Sequence, residues 1–369
     1  MAELLLKFAK QHSNPFKYIV CRWFPLTDKI LKTYLGKSYE TQILWPTVSE
    51  NENIKWSKKF LDQYKKELNW ENLCANKKVP FSTALIEGYK EVIRFDVLGG
   101  NANAVPFTET LIEKYLDKWY WPTLSRNPAL PWSETFLLKY LDKWELTGLR
   151  ENPGIKWTEQ LIDKVQEQLN NPDITLKYFT ASPGIKWTYE LIDKIKDEDP
   201  MITWRYLSAN PALPWSQEFF ERYKDYLYMD EVSKVPNFIW SESIIQEYED
   251  RWDWAALSQN PGLPFTEQLI EKYEDKWDWA GGGNWTGLSQ NPSLPWSEQF
   301  IEKYLDNWAS RGLTFNTGIP WTLEFIENYK EKLRLNIGDF YRNPGIWNKA
   351  FKPLLNTTTL IKIIKEVYH

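Results

Sequence analysis

Apolar residues recur along this chain in one spacing. In one stretch they stand at Phe300, Ile301, Tyr304 and Trp308, with Glu302-Lys303 between them. That spacing makes a single apolar stripe on a helix, and the charged pair reads as its solvent face. The pattern then repeats. With the preceding aromatic residue as position 1, anchors fall at Trp56, Phe81, Phe107, Trp132, Trp157, Trp187, Trp215, Trp240, Phe265, Trp296 and Trp321. A degenerate first copy starts at Leu26, and an incomplete last one at Trp347. The commonest step between anchors is 25 residues. Such a period signals an array of stacked supersecondary units.

Each unit carries its own helix signals. Position 2 is Ser or Thr in the units from Thr27 to Thr322, with Asn348 in the fragment. These side chains accept a free backbone N–H of a first helical turn. Position 6 is apolar (Leu137, Ile162, Ile301), so anchor and position 6 form a hydrophobic staple across the helix start. Helix A is therefore expected over positions 2 to 12, about 16 Å long at 1.5 Å per residue. Positions 15 and 18, such as Trp254 and Leu257, mark a short helix B, which Asn-Pro ends because a residue before Pro avoids the helical region. Neither helix buries its stripe alone, and stacking does. The expected fold is all-α, an α-solenoid of about twelve 25-residue helix-pair repeats. Residues 26–346 form the array, residues 1–25 an N-terminal cap and residues 347–369 a C-terminal capping helix. At the usual 8–10 Å between packed helices the contour is on the order of 100 Å.

The phrase Asp275-Lys276-Trp277-Asp278-Trp279, followed by Leu288-Ser289-Gln290-Asn291-Pro292-Ser293-Leu294-Pro295-Trp296-Ser297, resembles the Trp-rich short repeats of bacterial and large-DNA-virus proteins. The resemblance spans nearly the whole chain and implies no activity or catalytic residue. A general likeness to helical solenoids such as TPR or HEAT proteins implies scaffolding or binding, by analogy of fold alone.

Composition removes most chemistries. There are 22 Trp, 20 Tyr and 18 Phe, so the chain has ample apolar area to fold despite a mean hydropathy of -0.55. Only His12 and His369 are available for a Ser-His-Asp or Cys-His centre, and Cys21 and Cys74 cannot make a disulfide scaffold or a cysteine zinc site. The net charge of -5 gives no bulk attraction to nucleic acid. No apolar run is long enough to span a membrane, and the N-terminus lacks a signal-peptide pattern. No catalytic residue, metal or cofactor is expected, and the chain reads as cytoplasmic.

Rows of like residues have two readings each. Asn at position 21 (Asn51, Asn76, Asn127, Asn152, Asn210, Asn260, Asn291, Asn316) is either a polar strip for a ligand or a ladder to backbone groups. Its coupling to the following Pro favours the ladder. Tyr at position 9 lies on the apolar stripe and reads as core with its hydroxyl at the edge. The Trp-x-Trp pairs Trp252/Trp254 and Trp277/Trp279 read as core rather than as a platform for sugars. Asp197-Glu198-Asp199 lacks a calcium-loop pattern, and Gly281-Gly282-Gly283 lacks the lysine of a phosphate loop.

Length variation is the informative feature. Four units are longer than the rest, and realignment puts the surplus between helix A and helix B: Tyr39–Leu44, Asn170–Ile174, Asp197–Pro200 and Asp278–Asn284. In the last, Trp285 and Leu288 are taken as positions 15 and 18. In a solenoid these turns share one edge, and variable surface loops carry function more often than constant turns. Asn171, Asp173, Asp197, Glu198, Asp278, Gly282 and Asn284 are accordingly the candidate contact residues for a protein or peptide partner. The leading expectation is a non-enzymatic scaffold. The alternatives are a self-associating structural spacer of a viral or cell-surface assembly, including a virion component, and an aromatic-rich carbohydrate-binding module.

Overall fold

The structure, a computed structural model, describes residues 2–34, 43–281 and 287–368. It is all-α. Among the described residues the sole extended pairing is one parallel bridge between Trp157 and Ile185.

Ser and Thr at position 2 start the A helices as expected. The Ser133 hydroxyl accepts the Phe136 N–H at 3.1 Å and the Ser297 hydroxyl that of Phe300 at 3.0 Å. The helices stop sooner than the apolar stripe implies. Glu134–Lys139 and Glu298–Lys303 have 6 residues each, not the eleven of positions 2 to 12. Tyr140 at position 9 leaves helical geometry with φ -116° and ψ 25°. The indole N–H of Trp144, at position 13, donates to the Leu137 carbonyl at 3.0 Å. It satisfies a carbonyl that the end of a helix leaves free. Trp252, Trp277 and Trp308 repeat this bond onto Ile245, Ile270 and Ile301. The stripe continues past the helix because position 13 is its cap.

Two side-chain ladders join successive units. The Asn152 amide donates to the Ser125 and Asn127 carbonyls, and its oxygen accepts the Gly154 N–H. Asn316 treats Ser289, Asn291 and Gly318 the same way. The Asn row is thus a structural ladder. The second ladder uses position 19. The Ser125 hydroxyl donates to the Trp121 carbonyl and accepts the N–H of Glu145 in the next unit. Ser258 does the same with Trp254 and Asp278.

The chain divides into two compact units, Met1–Leu73 with Trp254–His369, and Cys74–Asp253. In the first, the terminal segments pack on each other. Helices Ala2–Gln11 and Ser13–Trp23 pack against the C-terminal end of the array. The rings of Phe8 and Phe351 lie 5.1 Å apart, the Trp23 indole donates to the Tyr341 carbonyl, and Lys7 pairs with Glu327. The Tyr368 hydroxyl, just past helix Thr357–Val367, donates to the Ser13 carbonyl. Each terminal segment therefore covers part of the other, while Lys362, Lys365 and Glu366 on the last helix stay exposed. The fragment at Trp347 also departs from the repeat. Asn348 sits inside a π-turn, Trp347–Phe351, and Asn343 supplies both the helix cap and the last rung of the Asn ladder.

Candidate functional site on the inter-helix edge

The A–B turns absorb their extra residues in different ways. In the unit anchored at Trp157, helix A lengthens to Glu159–Leu169 and ends at Asn170 in the left-handed region, φ 48°. Asn171 then folds the turn, its side chain accepting the Asp173 N–H at 3.1 Å, while Asp173 points to solvent. In the unit anchored at Trp187, the surplus adds a turn to helix B, which becomes Pro200–Ser208. Asp197 and Glu198 lie exposed just before it, and Asp199 turns the chain with φ 46°. Lys177 pairs with Asp199 at 2.8 Å and so ties these two turns together.

The insertion after Trp277 differs from expectation. The Trp279 ring fills the position-15 place, 5.0 Å from Tyr304 and 4.9 Å from Trp308. Trp254 stands in the same relation to Tyr273 and Trp277. Leu288 then donates to the Asp278 carbonyl at 2.8 Å and Ser289 to that of Trp279 at 3.2 Å. These two bonds close the root of the excursion, just before the short helix Leu288–Gln290. Asp278 organises its root, its carboxylate accepting the Gly281 N–H at 2.7 Å. Gly287 is required here, since a Cβ would collide with the Asp278 carbonyl. Gly282, Asn284 and Trp285 lie outside the described residues, as does most of Tyr39–Leu44.

The structure brings Asp173, Asp197 and Glu198 to one surface around helix Pro200–Ser208. Asp278 belongs to the other compact unit. The helix buries Thr203, Trp204, Leu207 and Ser208 and turns Met201, Ile202 and Tyr206 outward. A cleft of 510 Å³ on one side is lined by Met201, Trp204, Tyr226 and Asp230. One of 420 Å³ on the other is lined by Asp173, Tyr178, Ile202 and Tyr206. Sequence reasoning passed over these apolar residues. The signal available was Met201-Ile202, an apolar pair in a turn where polar residues are the rule.

No family model, curated protein or solved structure matches this chain.

The other rows are occupied by structure. Position-13 Trp rings are buried, whereas Trp121, Trp254 and Trp279 at position 15 are half-buried against the following unit. The Tyr115 hydroxyl donates to Glu87 and that of Tyr140 to Glu113 at 3.1 Å, each acid lying on the preceding helix A. Lys114, Tyr115 and Lys90 hold the Glu87 carboxyl at about 2, and burial with the Glu87 bond pushes Tyr115 up to about 12. Burial pushes both cysteine thiols up to about 11, so neither is a ready nucleophile. Among the described residues no group of three His, Cys, Asp or Glu side chains could hold a metal ion, and no helix is long and apolar enough to cross a membrane.

Proposed function

We propose that this chain is a non-enzymatic repeat scaffold that binds a protein or peptide partner along the edge formed by its A–B turns. One observation carries the reading. The large apolar side chains exposed among the described residues are Tyr120, Met201, Ile202, Tyr206 and Tyr226, and every one lies in an A–B turn or on helix B. Exposed apolar groups gathered on one edge mark an interaction surface more often than scattered ones do. The longer turns at Asn171 and Asp197 flank Met201, Ile202 and Tyr206, while the Asn-Pro turns are committed to ladders between repeats. Solenoids bind through such extended surfaces.

A photo-reactive residue in place of Tyr206 tests this in an extract of the source cells. Adducts with a partner protein are expected there, and none from the same group in place of Gln160, exposed on a helix A. Adducts at both positions, or at neither, would remove the edge from consideration.

A further inference from the structure

We propose that helix Pro200–Ser208 and its two flanking clefts dock a basic, apolar segment of a partner polypeptide. The proposal rests on the scaffold reading and names the chemistry of what that edge takes.

The surface is built by departures from the repeat. Helix B here has 9 residues, against 6 in Leu146–Glu151 and in Trp254–Gln259. The added turn carries Met201 and Ile202, which are 65% and 44% exposed. Tyr206 and Tyr178 hold position 17, which is Asn72, Val97, Thr123, Gly148, Glu231, Ala256 or Gly312 in other units, none of them aromatic. The two tyrosines instead raise aromatic walls, and the 420 Å³ cleft lies between them. Across the helix, the Tyr226 ring stacks on Trp204 at 4.9 Å beside the 510 Å³ cleft. Covering these groups removes apolar area from water, a gain of about 25 cal/mol per Å².

Charge decides what covers them. Asp173 lines one cleft and Asp225 the other, Asp197 and Glu198 lie exposed just before the helix, and among the described residues these four carboxylates form no ion pair. Neighbouring cations are already engaged. Lys177 pairs with Asp199 and Arg205 with Glu231, each at 2.8 Å, and Lys224 pairs with Glu221 at 2.7 Å. Arg251 donates to the Leu227 carbonyl. Arg150 lies over the Tyr178 ring at 5.0 Å, with its terminal nitrogen 3.5 Å from Glu151. The rim therefore has carboxylates to spare. Apolar side chains flanked by Lys or Arg complement it. An anionic lipid surface would be repelled, and a second copy would set acid against acid.

Two labelled peptides of equal length, one of Leu and Lys and one of Leu and Glu, test the proposal by fluorescence anisotropy on the full chain. The Lys peptide should bind more tightly by about tenfold or more, a single factor of ten being 1.4 kcal/mol. Met201→Ser with Ile202→Ser should weaken it by about tenfold, as expected for central apolar contacts. Asp197→Asn with Glu198→Gln should weaken it severalfold and flatten its salt dependence. Glu218→Gln with Glu242→Gln, at the starts of two A helices, should leave it unchanged. Equal affinity for the two peptides, or equal loss in the two charge variants, overturns the proposal. So does concentration-dependent self-association that the Met201/Ile202 variant abolishes, since the occupant would then be a second copy. If Tyr206 cross-links to a protein while the Lys peptide shows no site-dependent binding, the basic segment falls and the scaffold reading stands.

Discussion

The side-chain amide of Asn152 donates to the backbone carbonyl of Asn127, 3.1 Å away and one repeat earlier. The same amide holds Ser125, and its oxygen holds Gly154. One buried side chain thus satisfies three backbone groups at the joint between units. Asn152→Ala should cost roughly 3 kcal/mol, because each buried polar group left unpaired costs about 1–3 kcal/mol. Gln160→Ala, on an exposed helix face, should stay within about 0.5 kcal/mol. Urea unfolding measures both, and equal losses would show that the ladder contributes nothing special.

Trp144 separates packing from hydrogen bonding. Its ring meets Trp121 at 4.5 Å and Trp132 at 5.0 Å, and its N–H caps Leu137. Trp144→Phe keeps most of the ring contact and loses the bond, so a loss of about 1 kcal/mol is expected. Trp144→Ala should cost about 3–5 kcal/mol, the range for truncating a buried large aromatic. A Phe variant as unstable as the Ala variant would mean the cap, rather than the ring, dominates.

The excursion after Trp279 is closed at its root by Leu288 and Ser289. Deleting residues 280–285 should therefore leave the melting temperature nearly unchanged, since Leu288 and Ser289 already bond to Asp278 and Trp279 across it. Trp279→Ala should cost roughly 2 kcal/mol, less than a fully buried ring because Trp279 is half-buried. A large destabilisation on deletion, with Trp279→Ala neutral, would restore Trp285 as the position-15 residue.

His12 gives unit 1 a pH dependence. Its ring sits 4.9 Å from Phe8, and its Nε2 is buried without a hydrogen-bond partner. Burial and the Lys330 ammonium lower its pKa, against smaller opposing effects of Glu327 and Glu331. The folded state therefore favours neutral imidazole. Above the unfolded value of about 6.5 both states are neutral and stability is unaffected. As pH falls through that value the unfolded chain takes up the proton first, so stability falls. Thermal melts from pH 7.5 to 5.5 should show this decline, reduced in His12→Gln; identical slopes would rule His12 out as the cause.

The Tyr115–Glu87 pair has two windows. Glu87 is held at about 2, so its contribution is present above the ordinary carboxylate value of 4.5 and is lost as pH falls toward 2. Tyr115 is raised to about 12, so its contribution holds below 10 and is lost as pH climbs toward 12. Tyr115→Phe should move Glu87 part of the way back up, because Lys114 and Lys90 remain beside it. Carboxyl NMR titration reads the shift, and an unmoved Glu87 would assign its low pKa to the lysines alone.

Much of this architecture is local and can be read from residue order. Ser133 caps its helix because cap chemistry reaches only three residues along, and Asn152 pairs with the turn before it because the period sets their separation. Those features need no knowledge of distant chain. The length of helix A is not legible in the sequence because the indole of Trp144 continues the stripe while ending the helix, and a periodic pattern cannot tell a cap from another turn. Trp279 and Trp285 both fit the spacing of position 15, and the contacts of Trp279 with Tyr304 and Trp308 decide for Trp279. The Asp173, Asp197 and Glu198 turns were legible as insertions, but not the ridge they surround. That Met201, Ile202 and Tyr206 face solvent depends on which side of the helix Trp204 and Leu207 bury, and that choice belongs to the neighbouring units. The packing of Phe8 on Phe351 and Trp23 on Tyr341 was decided by tertiary structure alone. It joins segments more than 300 residues apart, and no local spacing encodes which surfaces meet once the units between them have stacked.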